Sequence, residues 1–233
     1  MSGVSIDRVR SGDLRALARA ISVVEAGMPV AGLQPSSIPV IGVTGPPGAG
    51  KSTLISAMIS QMRLAGDTVG VLAIDPSSPI TGGAMLGDRI RMQGHAGDPG
   101  VFIRSMATRG ELGGLAAAAR DVMTLMGMAG LDRLILETVG VGQSEVEVMD
   151  LADVVVVVVG PGWGDGIQAD KAGVVEIADL FVVNKGDRPG AEEVRRALGE
   201  VAGDRDVEIV VTTATTGQGL DDLVSAIDGL IER

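Results

Sequence analysis

The chain is 233 residues long, 45% hydrophobic and 1% aromatic, with a formal net charge of -11 and no cysteine. Its length suits one compact domain with a substantial core, and its acidic balance argues against a broad nucleic-acid or anionic-membrane surface, which needs excess Lys and Arg. Without cysteine there is no disulfide, thiolate nucleophile or thiolate metal site, and a cytoplasmic location is expected.

Residues 13–26 carry Leu14, Leu17, Ala18, Ile21 and Val24 at helical spacing behind a candidate cap at Ser11 or Asp13, which predicts a leading helix. A linker containing Pro, Gly and Ser leads to the first strand, VIGVT at 40–44. Residues 1–38 are therefore expected to form a helix and linker packed on a domain spanning 39–233. Val/Ile-rich runs recur at 69–74, 101–103, 133–137, 154–159, 180–183 and 207–211, with helical patterns at 52–65, 113–129 and 191–202 between them. Runs that are continuously apolar rather than alternating indicate strands covered on both faces, hence an α/β fold with a mainly parallel sheet flanked by helices. The longest such run, 154–159, is too short to cross a bilayer, and the N-terminus lacks the basic-then-apolar order of a signal peptide. The eleven methionines are expected to be core filler for the most part. In such sheets ligands sit beyond the carboxyl ends of the strands, where every motif below falls.

GPPGAGKST at 45–53 directly follows the first strand and opens a helix. It satisfies G-x-x-x-x-G-K-[ST], whose glycines turn backbone N–H groups inward around phosphate while the lysine adds a mobile positive charge and the helix N-terminus favours an anion. Gly45, Pro46, Pro47, Gly48, Ala49, Gly50, Lys51, Ser52 and Thr53 form the candidate phosphate cradle, with the Ser52 hydroxyl a candidate magnesium ligand. A plain glycine-rich turn is the alternative.

Three acids end or follow strands: Asp75, Asp88 and Glu137. Magnesium demands near-octahedral oxygen geometry and keeps several waters, so direct ligation by all three is not expected. The spacing Glu137-x-x-Gly140 is similar to the Asp-x-x-Gly of nucleotide triphosphatases, in which the acid serves magnesium and the glycine amide reads a terminal phosphate. One methylene longer than Asp, Glu137 either reaches the metal or holds a metal-bound water. A helix-capping or solvated strand-end acid is the alternative.

VNKGD at 183–187 ends another apolar strand with Asn184-Lys185-x-Asp187. The Asp187 carboxylate can accept from guanine N1–H and the 2-amino group, a donor pair adenine lacks, so GTP is favoured over ATP. TTAT at 212–215 would place a backbone amide of Thr213, Ala214 or Thr215 on guanine O6, with a plain turn as the alternative.

Three rival readings use the same loops. A nickel-loading GTPase needs Cys and His clusters, whereas this chain has no cysteine and a single histidine, His95, expected to be a surface-loop residue. A kinase acting on a small molecule or protein needs an acceptor pocket and a catalytic base, with Asn-Lys-x-Asp incidental. A nucleotide-switched binding module would turn over negligibly.

Together GPPGAGKSTLI, LAIDPSSPITGGAMLGDRIRM, FIRSMATRGELGGLA, ILETVGVGQSEVEVMDLAD and IQADKAGVVEIADLFVVNKGD resemble the MeaB/ArgK family, G-protein chaperones of methylmalonyl-CoA mutase, over residues about 10–230. The Glu at 137 is that family's own form. The resemblance implies a P-loop NTPase of the SIMIBI type, a three-layer sandwich. It implies a magnesium-dependent GTPase, slow alone and stimulated by its partner, that gates adenosylcobalamin delivery to, and protects, a cobalamin-dependent acyl-CoA mutase. It also implies a nucleotide-dependent homodimer, although larger family members extend beyond both ends of this sequence and dimerise through a C-terminal arm. Carried over by motif, Lys51 and Ser52 bind phosphate and magnesium, Asp75, Asp88 and Glu137 form the acidic shell, and Asn184, Lys185 and Asp187 read guanine. The stretch 140–145, with Gly140 and Gln143, becomes a second switch, and 160–173 a third, with Asp165, Gln168 and Lys171 as its polar contacts. Trp163 in that Gly-rich stretch either orders with nucleotide against a partner or packs back on the domain.

Overall fold

The computed structural model describes residues 5–75, 92–95, 97–107, 112–138, 149–163, 176–203, 205 and 207–233. Seven strands build one sheet: β1 Val40–Thr44, β2 Val69–Asp75, β3 Val101–Ala107, β4 Arg133–Thr138, β5 Val154–Val159, β6 Leu180–Val183 and β7 Glu208–Val211. Their spatial order is β3-β2-β4-β1-β5-β6-β7, and every pairing is parallel. The helices are α1 Ile6–Arg10, α2 Leu14–Glu25, α3 Lys51–Leu64, α4 Leu112–Met128, α5 Ala191–Ala202 and α6 Leu220–Ile231.

Successive side chains of a strand point to opposite faces, so an unbroken apolar run feeds two cores at once. Val40, Leu134, Leu136, Val155, Val157 and Val159 pack on one face with α2, α4 and α5. Ile41, Val43, Ile135, Val154, Val156 and Val158 pack on the other with α3 and α6. The six-valine strand β5 is buried at every position, which explains why β-branched residues without alternation mark it. The result is a sandwich of helices, parallel sheet and helices, as the continuous hydrophobic runs predict. Among the described residues no helix is long and apolar enough to cross a membrane.

At the head of α2, Asp13 rather than Ser11 is the cap: its carboxylate accepts from the amides of Arg15 at 2.9 Å and Ala16 at 3.0 Å. These two bonds satisfy donors the first helical turn leaves open. The helix buries Leu17, Ala20, Ile21 and Val24 in the same core as α4. Helix α6 adds a helix after the last predicted pattern, and two further elements differ from the sequence reading. Helix α1 spans five residues and buries only Val9, too little apolar periodicity to register. Strand β3 continues past 103 to Ala107 because Arg104 does not face open water: its Nε donates to Glu25 of α2 at 3.0 Å. Methionines 58, 62, 92, 106, 123, 126 and 149 are buried, in keeping with a filler role, while Met28 is exposed.

Gly42, in the middle of β1, lets the segment before β5 lie directly on the sheet. A Cβ there would stand 2.8 Å from Met149 Sδ and 2.9 Å from Ala152 Cβ. The thioether can swing aside, but the Ala152 methyl moves only with its backbone. Gly42→Ala should therefore cost about 1–3 kcal/mol by overpacking, measured as a lower urea midpoint at unchanged slope; an unchanged midpoint would contradict this packing.

Candidate nucleotide site

Strand β1 ends on Thr44 and hands the chain to residues 45–50, which curl back to the first turn of α3. Two glycines make this path possible. Gly45 has φ +139°, and a Cβ on it would lie 2.0 Å from the Val158 carbonyl oxygen. Gly50, the N-cap of α3, has φ +95°, and a Cβ there would lie 2.5 Å from Asn184 Nδ2. Both have a positive φ that favours glycine; at Gly45 the obstacle is backbone that cannot give way, and at Gly50 it is the Asn184 side chain, which would have to leave its place against the loop. Gly50 offers no capping side chain, so the first amides of α3 point toward the loop mouth at the positive end of the helix dipole. Lys51 is buried, and its Nζ donates to the carbonyls of Gly45 at 2.8 Å and Pro46 at 3.2 Å. Backbone N–H groups, a helix terminus and an ammonium thus converge on one concavity, an anion site of the kind suited to a polyphosphate.

Beside it stand three hard oxygen donors. Ser52, in the first turn of α3, donates its hydroxyl proton to Glu137 Oε1 at 2.9 Å. Glu137 is the penultimate residue of strand β4 next to β1, in register with Val43 and Ala73. Asp75 is the final residue of neighbouring β2. All three are less than 4% exposed. A hydroxyl and two carboxylates at the mouth of a phosphate loop are the donor set magnesium takes.

On the far side of the loop Asn184, 2% exposed, acts as a bolt. Its Nδ2 donates to the Ala49 carbonyl at 3.0 Å, while its Oδ1 accepts from Thr212 Oγ1 and from the Ala214 amide, each at 3.2 Å. One amide side chain thereby joins the phosphate loop to the ends of β6 and β7. Lys185, the only non-glycine residue with positive φ among those described, reaches the Gly48 carbonyl with its Nζ. Gly186 donates to the Thr212 carbonyl at 2.9 Å, which leaves Asp187 exposed at the rim. Thr213 is buried, Ala214 half-buried and Thr215 exposed.

The fold therefore gathers residues 45–53, Asp75, Glu137, Asn184, Lys185, Asp187 and 213–215 along one edge of the sheet, formed by the carboxyl ends of β1, β2, β4, β6 and β7. Asp88, Gly140, Gln143, Asp165, Gln168 and Lys171 lie outside the described residues. Trp163 is half-buried and packs against the core. His95 is not a free surface residue: it ends a 3-10 turn, Gln93–His95, and its Nε2 lies 3.0 Å from both the hydroxyl and the carbonyl oxygen of Ser56 on α3. Thr44 and Thr138, whose hydroxyls meet at 2.9 Å in a fully buried setting, escape the motif reading; the available signal was that VIGVT and LILET both end on threonine in matching register.

The family profile described as methylmalonyl-CoA mutase-associated GTPase MeaB matches residues 10–232. The chain belongs to this GTPase family. A Pyrococcus horikoshii protein named as a GTPase is 49% identical over 235 residues, covering 94% of this chain and 74% of that protein. The GTPase ArgK of Escherichia coli is 43% identical over 194 residues, covering 78% of this chain and 59% of ArgK. The crystal structure of an LAO/AO transport system kinase superposes with a TM-score of 0.76 at 29% identity, over 97% of this chain and 73% of that one. The fold is that of P-loop GTPases, and the protein binds GTP and hydrolyses it to GDP.

Asn184→Ala would strip partners from the Ala49 carbonyl, the Thr212 hydroxyl and the Ala214 amide together. We expect a stability loss of about 1–3 kcal/mol without nucleotide and a fall of about tenfold or more in affinity for both GDP and GTP. Thermal unfolding and calorimetric titration check the two halves; unchanged affinity for both nucleotides would contradict the bolt.

Proposed function

We propose that this GTPase is a nucleotide-gated chaperone of a cobalamin-dependent acyl-CoA mutase of the methylmalonyl-CoA mutase type, its GTP state controlling the loading and protection of adenosylcobalamin. The observation that supports this reading most strongly is the match of a mutase-associated family profile to residues 10–232, nearly the whole chain. Residues 39–233 serve as the GTPase domain, and residues 1–38 pack on it as an accessory helix and linker.

In this reading the loop 45–53 cradles the phosphates, with Lys51 against the terminal ones. Ser52 binds magnesium and Asp75, Asp88 and Glu137 form the acidic shell around it. The hard, all-oxygen donor set formed by buried Ser52, Asp75 and Glu137 fits that ion. When bound, magnesium draws negative charge away from the phosphoryl oxygens. The chain's own residues do the rest. Lys51, already lodged among the loop carbonyls, has only to turn toward a phosphate to exchange those bonds for charge-assisted ones. Asp187 takes the two guanine donors, Asn184 and Lys185 hold the base loop against the phosphate loop, and a backbone amide among Thr213, Ala214 and Thr215 faces guanine O6. Gly140 and Gln143 sense the terminal phosphate, while Asp165, Gln168 and Lys171 carry the signal to the mutase or to a second copy in a nucleotide-dependent homodimer. The acidic surface is in keeping with a cytoplasmic protein whose partner is another protein rather than nucleic acid or membrane.

Single-turnover GTP hydrolysis, measured with and without a cobalamin-dependent acyl-CoA mutase from the same cell, tests the proposal. Hydrolysis should be slow for the chain alone and rise at least about tenfold with the mutase, a lowering of the barrier by about 1.4 kcal/mol. Absence of any complex or stimulation, with GTP hydrolysis intact, would remove the chaperone role and leave a GTPase with another partner.

A further inference from the structure

Strand β4 ends in two polar residues, Glu137 and Thr138, that point to opposite faces of the sheet, and each is bonded to one end of the phosphate loop. On the α3 face, Glu137 Oε1 accepts from Ser52 Oγ at 2.9 Å, just after the loop. On the α4 face, Thr138 Oγ1 donates to Thr44 Oγ1 at 2.9 Å, just before the loop. Val43 is in register with Glu137, so Thr44 stands opposite Thr138 as the next pair along β1 and β4. Both threonines are at most 1% exposed. A hydroxyl pair so deep in an apolar sheet is not needed for packing, since valine has the same shape and carries no desolvation cost. What the pair adds is direction: a hydrogen bond has a length and an angle that an apolar contact lacks.

We infer that Thr138 is a positioning residue for GTP hydrolysis, its hydrogen bond to Thr44 fixing the end of β4 so that the neighbouring Glu137 carboxylate is held at a set distance from the phosphate loop. The inference rests on the reading of Glu137 as part of the magnesium shell. The pairing of β4 with β1 ends at Val43 and Glu137, so at the next position the hydroxyl bond is the directed restraint added across that seam, and small misplacements at a reacting centre cost up to about a hundredfold in rate. In this inference Thr138 acts through Glu137, whereas the hold of the loop on the phosphates depends on residues 45–53 and Asn184.

The test compares Thr138→Val, Thr44→Val, their double variant, Thr138→Ser and Glu137→Gln in the full chain. GDP affinity, single-turnover GTP hydrolysis and the magnesium concentration for half-maximal hydrolysis are measured for each. Thr138→Val should bind GDP within about twofold of the wild type, hydrolyse GTP about tenfold more slowly and need several-fold more magnesium. Thr44→Val should also slow hydrolysis and raise the magnesium requirement, and the double variant should be no slower than Thr44→Val, because the bond between the two hydroxyls is already lost there. Thr138→Ser, which keeps the hydroxyl and loses the methyl, should restore both rate and magnesium requirement. Wild-type hydrolysis by Thr138→Val, with Glu137→Gln slow, would overturn the positioning role alone. A Thr138→Ser variant as slow as Thr138→Val would show that the methyl matters instead, and would equally overturn it. Wild-type hydrolysis by Glu137→Gln would take down the magnesium reading and this inference with it.

Discussion

The hydrogen bond from Ser52 to Glu137 crosses from helix to sheet inside the protein, and the site is arranged around it. Ser52 lies in the first turn of α3 and Glu137 at the end of β4, both almost wholly buried. Placing a carboxylate there is costly unless it is bonded. The bond keeps the start of α3, and with it the amides of the phosphate loop, at a fixed height above the sheet. If it were broken, the loop would still have its glycines, but the hard oxygen donors beside it would no longer share one corner.

That corner is rigid because everything beneath it is apolar and tightly packed. The central strands β1, β4 and β5 are covered on both faces, and alternate residues supply two separate cores. Parallel strands bring their carboxyl ends to the same edge, so the ends of β1, β2, β4, β6 and β7 share one side of the sheet. Against this background the few buried polar groups stand out. Thr44, Lys51, Ser52, Asp75, Glu137, Thr138, Asn184, Thr212 and Thr213 are the buried polar residues among those described, and all lie at that edge. A core built from valine, leucine and methionine sets the scaffold; polarity is spent where ligands arrive.

Much of this was legible in the sequence, for reasons that differ from element to element. The strands were readable because double coverage leaves no alternation, as in the valine run of β5. The phosphate loop was readable because backbone conformation demands glycine at Gly45 and Gly50, so the constraint is written in residue type. The Asn184 motif was readable as a base-binding signal, but its structural duty, bonding the phosphate loop and the end of β7 through both ends of one amide, depends on contacts with residues 28 to 135 positions away. The same limit hid the Thr44–Thr138 bond and the link between His95 and Ser56, since hydrogen bonds between remote side chains leave no periodic trace. Helix α1 and the outer half of β3 escaped for another reason: their stability comes from tertiary contacts such as Arg104 with Glu25, which local pattern does not encode.

The central claim is that this edge of the sheet reads both the phosphates and the guanine of one nucleotide. Calorimetric titration of the nucleotide-free chain with GTP and with ATP, in magnesium, tests it most directly. The account predicts tight GTP binding and ATP binding weaker by at least about a hundredfold, the worth of roughly two charge-assisted hydrogen bonds from guanine to Asp187. Equal affinity for the two nucleotides would contradict it.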